Sequence, residues 1–291
     1  MNVYSIIVAF NPDRGSLRQL CATLLQSNSG VIVVDNSEEV ALDPDDLPQK
    51  CVLQVLGSNS GIAHAQNVGI ATALSAGADV IFFFDQDSSI DKLFVPAMLA
   101  GLDNSVAAVY APVSVDAVLG FEYPSSRLNE WGLPRPVYSA GHAGDYAVDM
   151  VISSGSLVTV SALAKVGVMD EDFFIDYVDL EWCLRCRALG VEIFVRRDVQ
   201  MKHSIGQRSI KVGPITTFVH SPARTYYKMR NPFLLLGKDN IRLSYAAKEI
   251  MGAFLHHFVQ LAMLTNRKQY VGPVLAGLWD GLRRSGGKRV E

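Results

Sequence analysis

A run of five apolar residues, Val80-Ile81-Phe82-Phe83-Phe84, broken at once by Asp85-Gln86-Asp87, constrains this chain more than any other feature. A strand with no polar residue on either face must be covered on both. That condition is met in a mostly parallel sheet with helices above and below it. Three further, mostly apolar runs repeat the pattern at Val3 to Phe10, Val31 to Val34 and Val52 to Leu56. Between them, apolar residues recur at helical spacing over Ser16 to Ser27 and over Ala63 to Ala76, the latter stopped by Gly77. In sheets of this kind ligands bind beyond the carboxyl ends of the strands. Those ends carry Asn11, Asp35-Asn36, Asn59 and Asp85 with Asp87. One such residue is a turn former; four groups in register point to a binding edge.

The chain has 291 residues, enough for one α/β domain over residues 1–235 and a helical extension over 236–291. Its net charge of −3 is unevenly spread. Residues 1–240 carry 18 Lys/Arg against 26 Asp/Glu, and residues 241–291 carry eight against three. The acidic body excludes a general nucleic-acid binder. The basic, partly apolar tail reads either as a solvated end or as an amphipathic surface for the inner membrane, for a homodimer partner or for the domain itself. Met1 to Val8 lacks a basic leader and reads as a first strand, and four cysteines form no disulfide framework at this length, so a cytoplasmic protein is expected. Cys183 and Cys186 fall within a helical pattern without a second pair, which makes them packing residues and not zinc ligands.

Two carboxylates one residue apart at a strand end, Asp85 and Asp87, can share a divalent cation and the hydroxyls of a ribose. A pyrophosphate is held beside carboxylates most simply through such a cation. With Ile7-Val8-Ala9-Phe10-Asn11, Val33-Val34-Asp35-Asn36-Ser37 and Asn59-Ser60-Gly61-Ile62-Ala63 followed by Asn67 and Gly69, this motif resembles the donor half of a family 2 glycosyltransferase of the GT-A fold. The likeness to bacterial rhamnosyltransferases of that family spans about residues 3–235.

The resemblance implies an inverting, metal-dependent enzyme that moves a sugar, with L-rhamnose from dTDP-L-rhamnose favoured, onto a saccharide or lipid-linked saccharide acceptor of a bacterial surface polysaccharide. It implies that Ala9, Phe10, Asn11, Asp35 and Asn36 hold base and ribose, and that Asn59 and Gly61 add nucleotide contacts. Asp85 then lies near the ribose, with Gln86 and Asn67 counted among the donor-binding residues. Asp87 binds the metal, Mn2+ or Mg2+, with His203 as a further ligand. Phe173 to Arg185 resembles the acidic segment that holds the catalytic base. The Glu-Asp usual there is replaced by Val178-Asp179, which makes Asp179 the expected base; helix capping by Asp176 and Asp179 is the alternative. Ser154 is expected to line the sugar pocket. Arg230 is expected either to touch the donor diphosphate or acceptor, or to pack within the helical tail. A UDP-sugar donor, or a nucleotide-sugar-binding protein without catalysis, are the other readings of the same motifs.

Overall fold

The computed structural model describes residues 1–38, 42–117, 120–203, 209–212, 215–264 and 266–289, with backbone only at 203, 209–212 and 215–218. The first half runs β1 (Val3–Ala9), α1 (Arg14–Gln26), β2 (Gly30–Asp35), β3 (Cys51–Val55), α2 (Ile62–Ser75), β4 (Val80–Asp85), α3 (Phe94–Leu99) and β5 (Ala108–Asp116). Next come short strands β6 (Glu122–Tyr123), β7 (Ser125–Leu128), β8 (Pro134–Val137), β9 (Tyr146–Val148) and β10 (Leu157–Thr159). They lead to α4 (Val160–Val166), α5 (Val178–Ala188), β11 (Glu192–His203), β12 (Ser209–Val212) and β13 (Ile215–Phe218). Three helices follow: α6 (Pro222–Leu234), α7 (Leu243–Met263) and α8 (Lys268–Leu282).

Nine strands form the main sheet in the order β3-β2-β1-β4-β10-β5-β11-β9, with β6 on β5. Strands β1 to β5 and β11 point one way, and β6, β9 and β10 run against them. The mostly parallel sheet expected from the apolar runs is therefore present. The apolar run at Ser156 to Val160 forms strand β10, wedged between β4 and β5 and antiparallel to both, a direction that residue pattern does not carry.

Alternate side chains point to opposite faces of a strand, and the two faces of this sheet are separate cores. Ile6, Ile32, Val34, Ile81 and Phe83 pack under α2, α4 and α5. Ile7, Val31, Val33, Phe82 and Phe84 pack under α1 and α3. Each fully buried side chain of this size contributes about 1.5–3 kcal/mol; β2 and β4 accordingly carry no polar residue until their ends, and the buried Ser5 of β1 is tolerated because its hydroxyl meets Ser29 Oγ at 2.8 Å. Helix α1 starts at Arg14, two residues before its apolar pattern, because the Asp13 side chain accepts a hydrogen bond from the Ser16 N–H at 2.8 Å.

Strand β13 runs to Phe218, and α6 opens only at Ser221-Pro222, a side-chain cap followed by a proline at the first helical position. Met150 to Ile152, an apolar run of strand character, makes a single bridge to Ser126 and otherwise lines a cleft. Helix α8 lies along α6 with no gap: at Gly277 and Gly281 a methyl group would meet the Tyr226 and Arg230 carbonyl oxygens at 2.5 and 3.2 Å. Tyr245 and Ala246 of α7 enter the main core, so the helical extension shares the hydrophobic interior of residues 1–235.

Candidate active site

Strand order reverses between β1 and β4, and the crevice beyond their carboxyl ends is the ligand position of such sheets. Val8 lies in register with Asp85, so Ala9–Asn11 and Asp85–Asp87 face one another across it. The Gln86 amide closes the two strand ends together. It accepts from the Phe10 N–H at 2.6 Å and donates to the Phe10 carbonyl at 3.1 Å. Ser154, 3% exposed, braces the acidic turn from behind: its hydroxyl accepts from the Asp85 N–H at 3.2 Å and meets Ser88 Oγ at 3.0 Å. With the turn so held, Asp85 is half-buried and Asp87 is exposed. Gln86 and Ser154 thus shape the crevice floor.

The neighbouring loops are built from side chains bound to backbone. Asp35, 1% exposed, accepts from the Ser37 N–H and hydroxyl at 3.0 and 2.6 Å and from the Leu42 N–H at 3.1 Å. Asn36 donates to Asn59 Oδ1 at 3.2 Å and accepts from the Ser60 N–H at 2.8 Å, while Asn59 Oδ1 also accepts from the Gly61 N–H. Asn11 takes the left-handed conformation that Asn tolerates and donates its N–H to Ser37 Oγ. Gly61, at φ +89°, sits where a side chain would collide with the Phe174 ring at 2.6 Å, and the adjacent Ile62 N–H donates to the Phe174 carbonyl. Asn67 exchanges two hydrogen bonds with the Met169 backbone and donates to Glu171. Gly61 and Asn67 therefore join the donor-side loops to the acidic segment.

That segment is strained. Phe174, Asp176 and Tyr177 all have positive φ, at 60°, 62° and 66°. Each such non-glycine residue costs on the order of 1–3 kcal/mol and persists only where its surroundings over-determine it. Tyr177 stands at the cap position of α5 without a side-chain cap, so neither Asp176 nor Asp179 caps this helix. Asp176 is gripped by Arg224 through two hydrogen bonds of 2.8 and 2.9 Å, with Lys228 at 3.6 Å. Burial pushes its carboxyl up, but the Arg224 hydrogen bond and the Lys228 and Arg224 charges outweigh it and hold it below the ordinary carboxylate value.

Asp179, in the first turn of α5, has the opposite environment. Burial raises its carboxyl above the ordinary value despite hydrogen bonds from the Leu180 and Ser153 backbone, and the Asp85 and Asp176 charges raise it further. Among the described residues no Lys or Arg forms an ion pair with it. It opens onto a cleft of about 310 Å³ whose other walls include Tyr123, Ser126, Tyr245, Lys248 and Glu249. Crevice and cleft meet at Ser153–Ser154, where the Ser153 backbone bonds to Asp179 and the Ser154 hydroxyl accepts from the Asp85 N–H.

Arg230 takes the packing alternative. It is 0% exposed, lies over the Tyr227 ring at 4.9 Å, and donates to the carbonyls of Gly287 and Asp172 at 2.5 and 2.7 Å, which leaves no reach toward a ligand. His203 ends β11 in register with Asp116, and a bridge between Lys202 and Ser89 sets that strand end beside the acidic turn; its side chain lies outside the described residues. Among the described residues no cluster of three His, Cys, Asp or Glu side chains could hold a metal. Asp85 and Asp87 are hard oxygen donors on one turn, and they fit Mn2+ or Mg2+ as a partial ligand set. Sequence reasoning missed Arg224 as the partner of Asp176, although Arg224 and Lys228 share a helix face at i, i+4. It also missed Glu249, and no residue pattern betrays a cleft wall built 70 residues away.

The model of the family described as glycosyl transferase family 2 matches residues 5–167. The dTDP-rhamnosyl transferase RfbF of Shigella flexneri is 38% identical over 293 residues, with 100% of this chain and 99% of that protein covered. Among solved structures, S. aureus TarS 1-349 in complex with UDP-GlcNAc superposes with a TM-score of 0.56 at 15% identity, over 98% of this chain and 82% of that one. GalNAc-T7 with UDP, GalNAc and Mn2+ gives 0.55 at 10% identity, over 96% of this chain and 57% of that one. The longer TarS chain is spanned over 49% of its length.

Proposed function

Since the chain belongs to glycosyl transferase family 2 and has the GT-A fold, we propose that it transfers L-rhamnose from dTDP-L-rhamnose, with inversion, onto a hydroxyl of a saccharide acceptor. The full-length likeness to a dTDP-rhamnosyl transferase supports the donor. The observation that carries the mechanism is the pair of neighbouring carboxylates with opposite electrostatics. Asp176 is paired with Arg224, whereas Asp179 is raised, forms no ion pair with a Lys or Arg among the described residues, and opens onto a cleft.

In this reading the nucleotide occupies the crevice between Ala9–Asn11 and Asp85–Asp87, and the acceptor enters the cleft beside Asp179. An acceptor hydroxyl donates its proton to Asp179 as its oxygen attacks the anomeric carbon from the side opposite the nucleoside diphosphate. A carboxyl raised by burial is the stronger base once ionised, and holding both reactants in one site supplies orientation. Asp85 and Asp87, with His203 as a further candidate, would hold the divalent cation, and GalNAc-T7 as a Mn2+ complex supports a metal in this fold. When bound, that cation neutralises charge developing on the departing diphosphate. Arg224 lies within electrostatic range of Asp85 and Asp179 and favours the same charge.

A cytoplasmic enzyme resting peripherally on the inner membrane fits an acceptor that is lipid-linked. Among the described residues no helix is long and apolar enough to cross a membrane. Helices α7 and α8 instead expose apolar stripes, Met251, Phe254, Leu255 and Phe258 on one and Val271, Leu275, Trp279 and Leu282 on the other. Arg267, Lys268, Arg283 and Arg284 flank them. The donor is tested by a hydrolysis screen of dTDP-, UDP- and GDP-sugars with Mn2+ or Mg2+. Release of dTDP from dTDP-L-rhamnose above all others is expected; preference for a UDP- or GDP-sugar would overturn the donor assignment.

A further inference from the structure

The tail after α8 does not trail into solvent. The Gly287 N–H donates to the Asp172 carbonyl at 2.8 Å, and the Gly287 carbonyl accepts from Arg230. Arg230 in turn donates to Asp172 and Phe173. Gly286 approaches so closely that an added methyl group would meet Asp172 Cβ and Cγ at 2.5 Å. The Arg289 N–H donates to the Tyr227 hydroxyl, and the Tyr227 ring stacks on Phe174 at 4.6 Å between centroids. Beneath this layer the Asn231 amide, 0% exposed, donates to the carbonyls of Phe173, Ile175 and Asp176 at 2.8–3.0 Å. Apart from the Arg230–Gly287 bond, which joins the two parts of this layer, these contacts fall on Asp172 to Asp176, the stretch that leads into Asp179, or on the Tyr227 ring stacked on Phe174.

We infer that residues 286–289, together with Arg230 and Asn231, form a strap that holds the strained segment Asp172–Tyr177 and so positions Asp179 for catalysis. The strap supplies donors to four carbonyls of the segment, those of Asp172, Phe173, Ile175 and Asp176, and only Phe173 has a further donor within the segment, the Ile175 N–H. A buried carbonyl without a donor is costly, so losing the strap releases the strain by letting the segment relax toward ordinary backbone angles. Arg230, Asn231 and residues 286–289 are positioning groups, because the strap makes its contacts on the segment and not in the cleft. The donor-side hydrogen bonds among Asp35, Asn36 and Asn59 involve none of these residues.

The catalytic part of this inference rests on the transferase reading; the structural part does not, and the experiment separates the two. Truncation after Ser285, Gly286→Val and Asn231→Leu are compared with the full chain by amide exchange resolved to peptides, by dTDP-L-rhamnose affinity and by donor turnover. Exchange over residues 172–181 is expected to rise at least about ten-fold while residues 3–35 stay protected. Turnover is expected to fall about 10²-fold, because displacing a positioned group by an ångström costs that much, with donor affinity within about three-fold of wild type. Restoring the amide as Asn231→Gln recovers part of the turnover that Asn231→Leu loses. Unchanged exchange over 172–181 in the truncate and in Gly286→Val overturns the strap. Increased exchange with unchanged turnover overturns its role in positioning the base. If full-length protein turns over no nucleotide sugar, the transferase reading fails, and the exchange results still judge the strap.

Discussion

The two halves of the site are held by different means. On the donor side, Asp35, Asn36, Asn59 and Ser37 bond to backbone and to one another within about 25 residues of sequence. On the side of the proposed base, the segment Asp172–Tyr177 is fixed from α6, from α7 through the Tyr177–Glu249 hydrogen bond, from the tail at Gly287, and from Gly61–Ile62. The Asp35–Asn36–Asn59 loops organise themselves from local chain, whereas the segment before Asp179, like the Asp85 turn braced by Ser154, is held by distant parts of it. Changes confined to the segment before Asp179 are therefore expected to spare nucleotide binding more than transfer.

The largest effect expected is that of Asp179→Asn. It keeps the shape of the side chain but cannot take a proton, so kcat falls about 10²–10⁴-fold while donor affinity, by calorimetry, stays within a few-fold. Near-wild-type turnover would remove Asp179 as base and erase the division between the halves. Asp87→Ala, or chelation of divalent cations, acts on the other side. Donor affinity itself drops with turnover, and excess Mn2+ fails to restore the variant; full activity in chelator would sink metal dependence. Next comes Asp176→Asn, which leaves Arg224 half-buried without its bidentate partner. Breaking such a pair costs roughly 3 kcal/mol, read as a lower unfolding midpoint in urea.

Acid separates the two carboxylates by sign. The folded value of Asp176 is depressed, so its stabilisation is present above the ordinary 3.8 and is lost as pH falls below it. The folded value of Asp179 is raised, so the acid limb of kcat/KM is expected above 3.8, where Asp179 takes up a proton while the fold still stands. A limb that coincides with acid unfolding would mean that the profile reports Asp176. The smallest change expected is for Ser154→Ala. It removes the hydroxyl behind the Asp85 turn at a cost of about 1 kcal/mol and raises the donor KM a few-fold with kcat nearly unchanged.

Much of the donor half was legible in residue order alone. Apolar runs that end in Asn or Asp define buried parallel strands and their edge, because burial on both faces disfavours polar residues until the strand stops unless, like Ser5, they find a partner. Asp85, Asp87 and Asp179 could be named from such patterns and from the family resemblance. What each polar side chain does was decided by tertiary structure. Gln86, Ser154, Asn67 and Arg230 have the composition of ligand-binding residues, yet each spends hydrogen bonds on another part of the chain. The opposite electrostatics of Asp176 and Asp179, three residues apart, also lie outside any local pattern. They depend on Arg224 reaching one carboxylate and not the other, and on how burial falls between them. Strand periodicity is a property of neighbours in sequence; a carboxyl's charge balance and a strained loop's restraint are sums over neighbours in space.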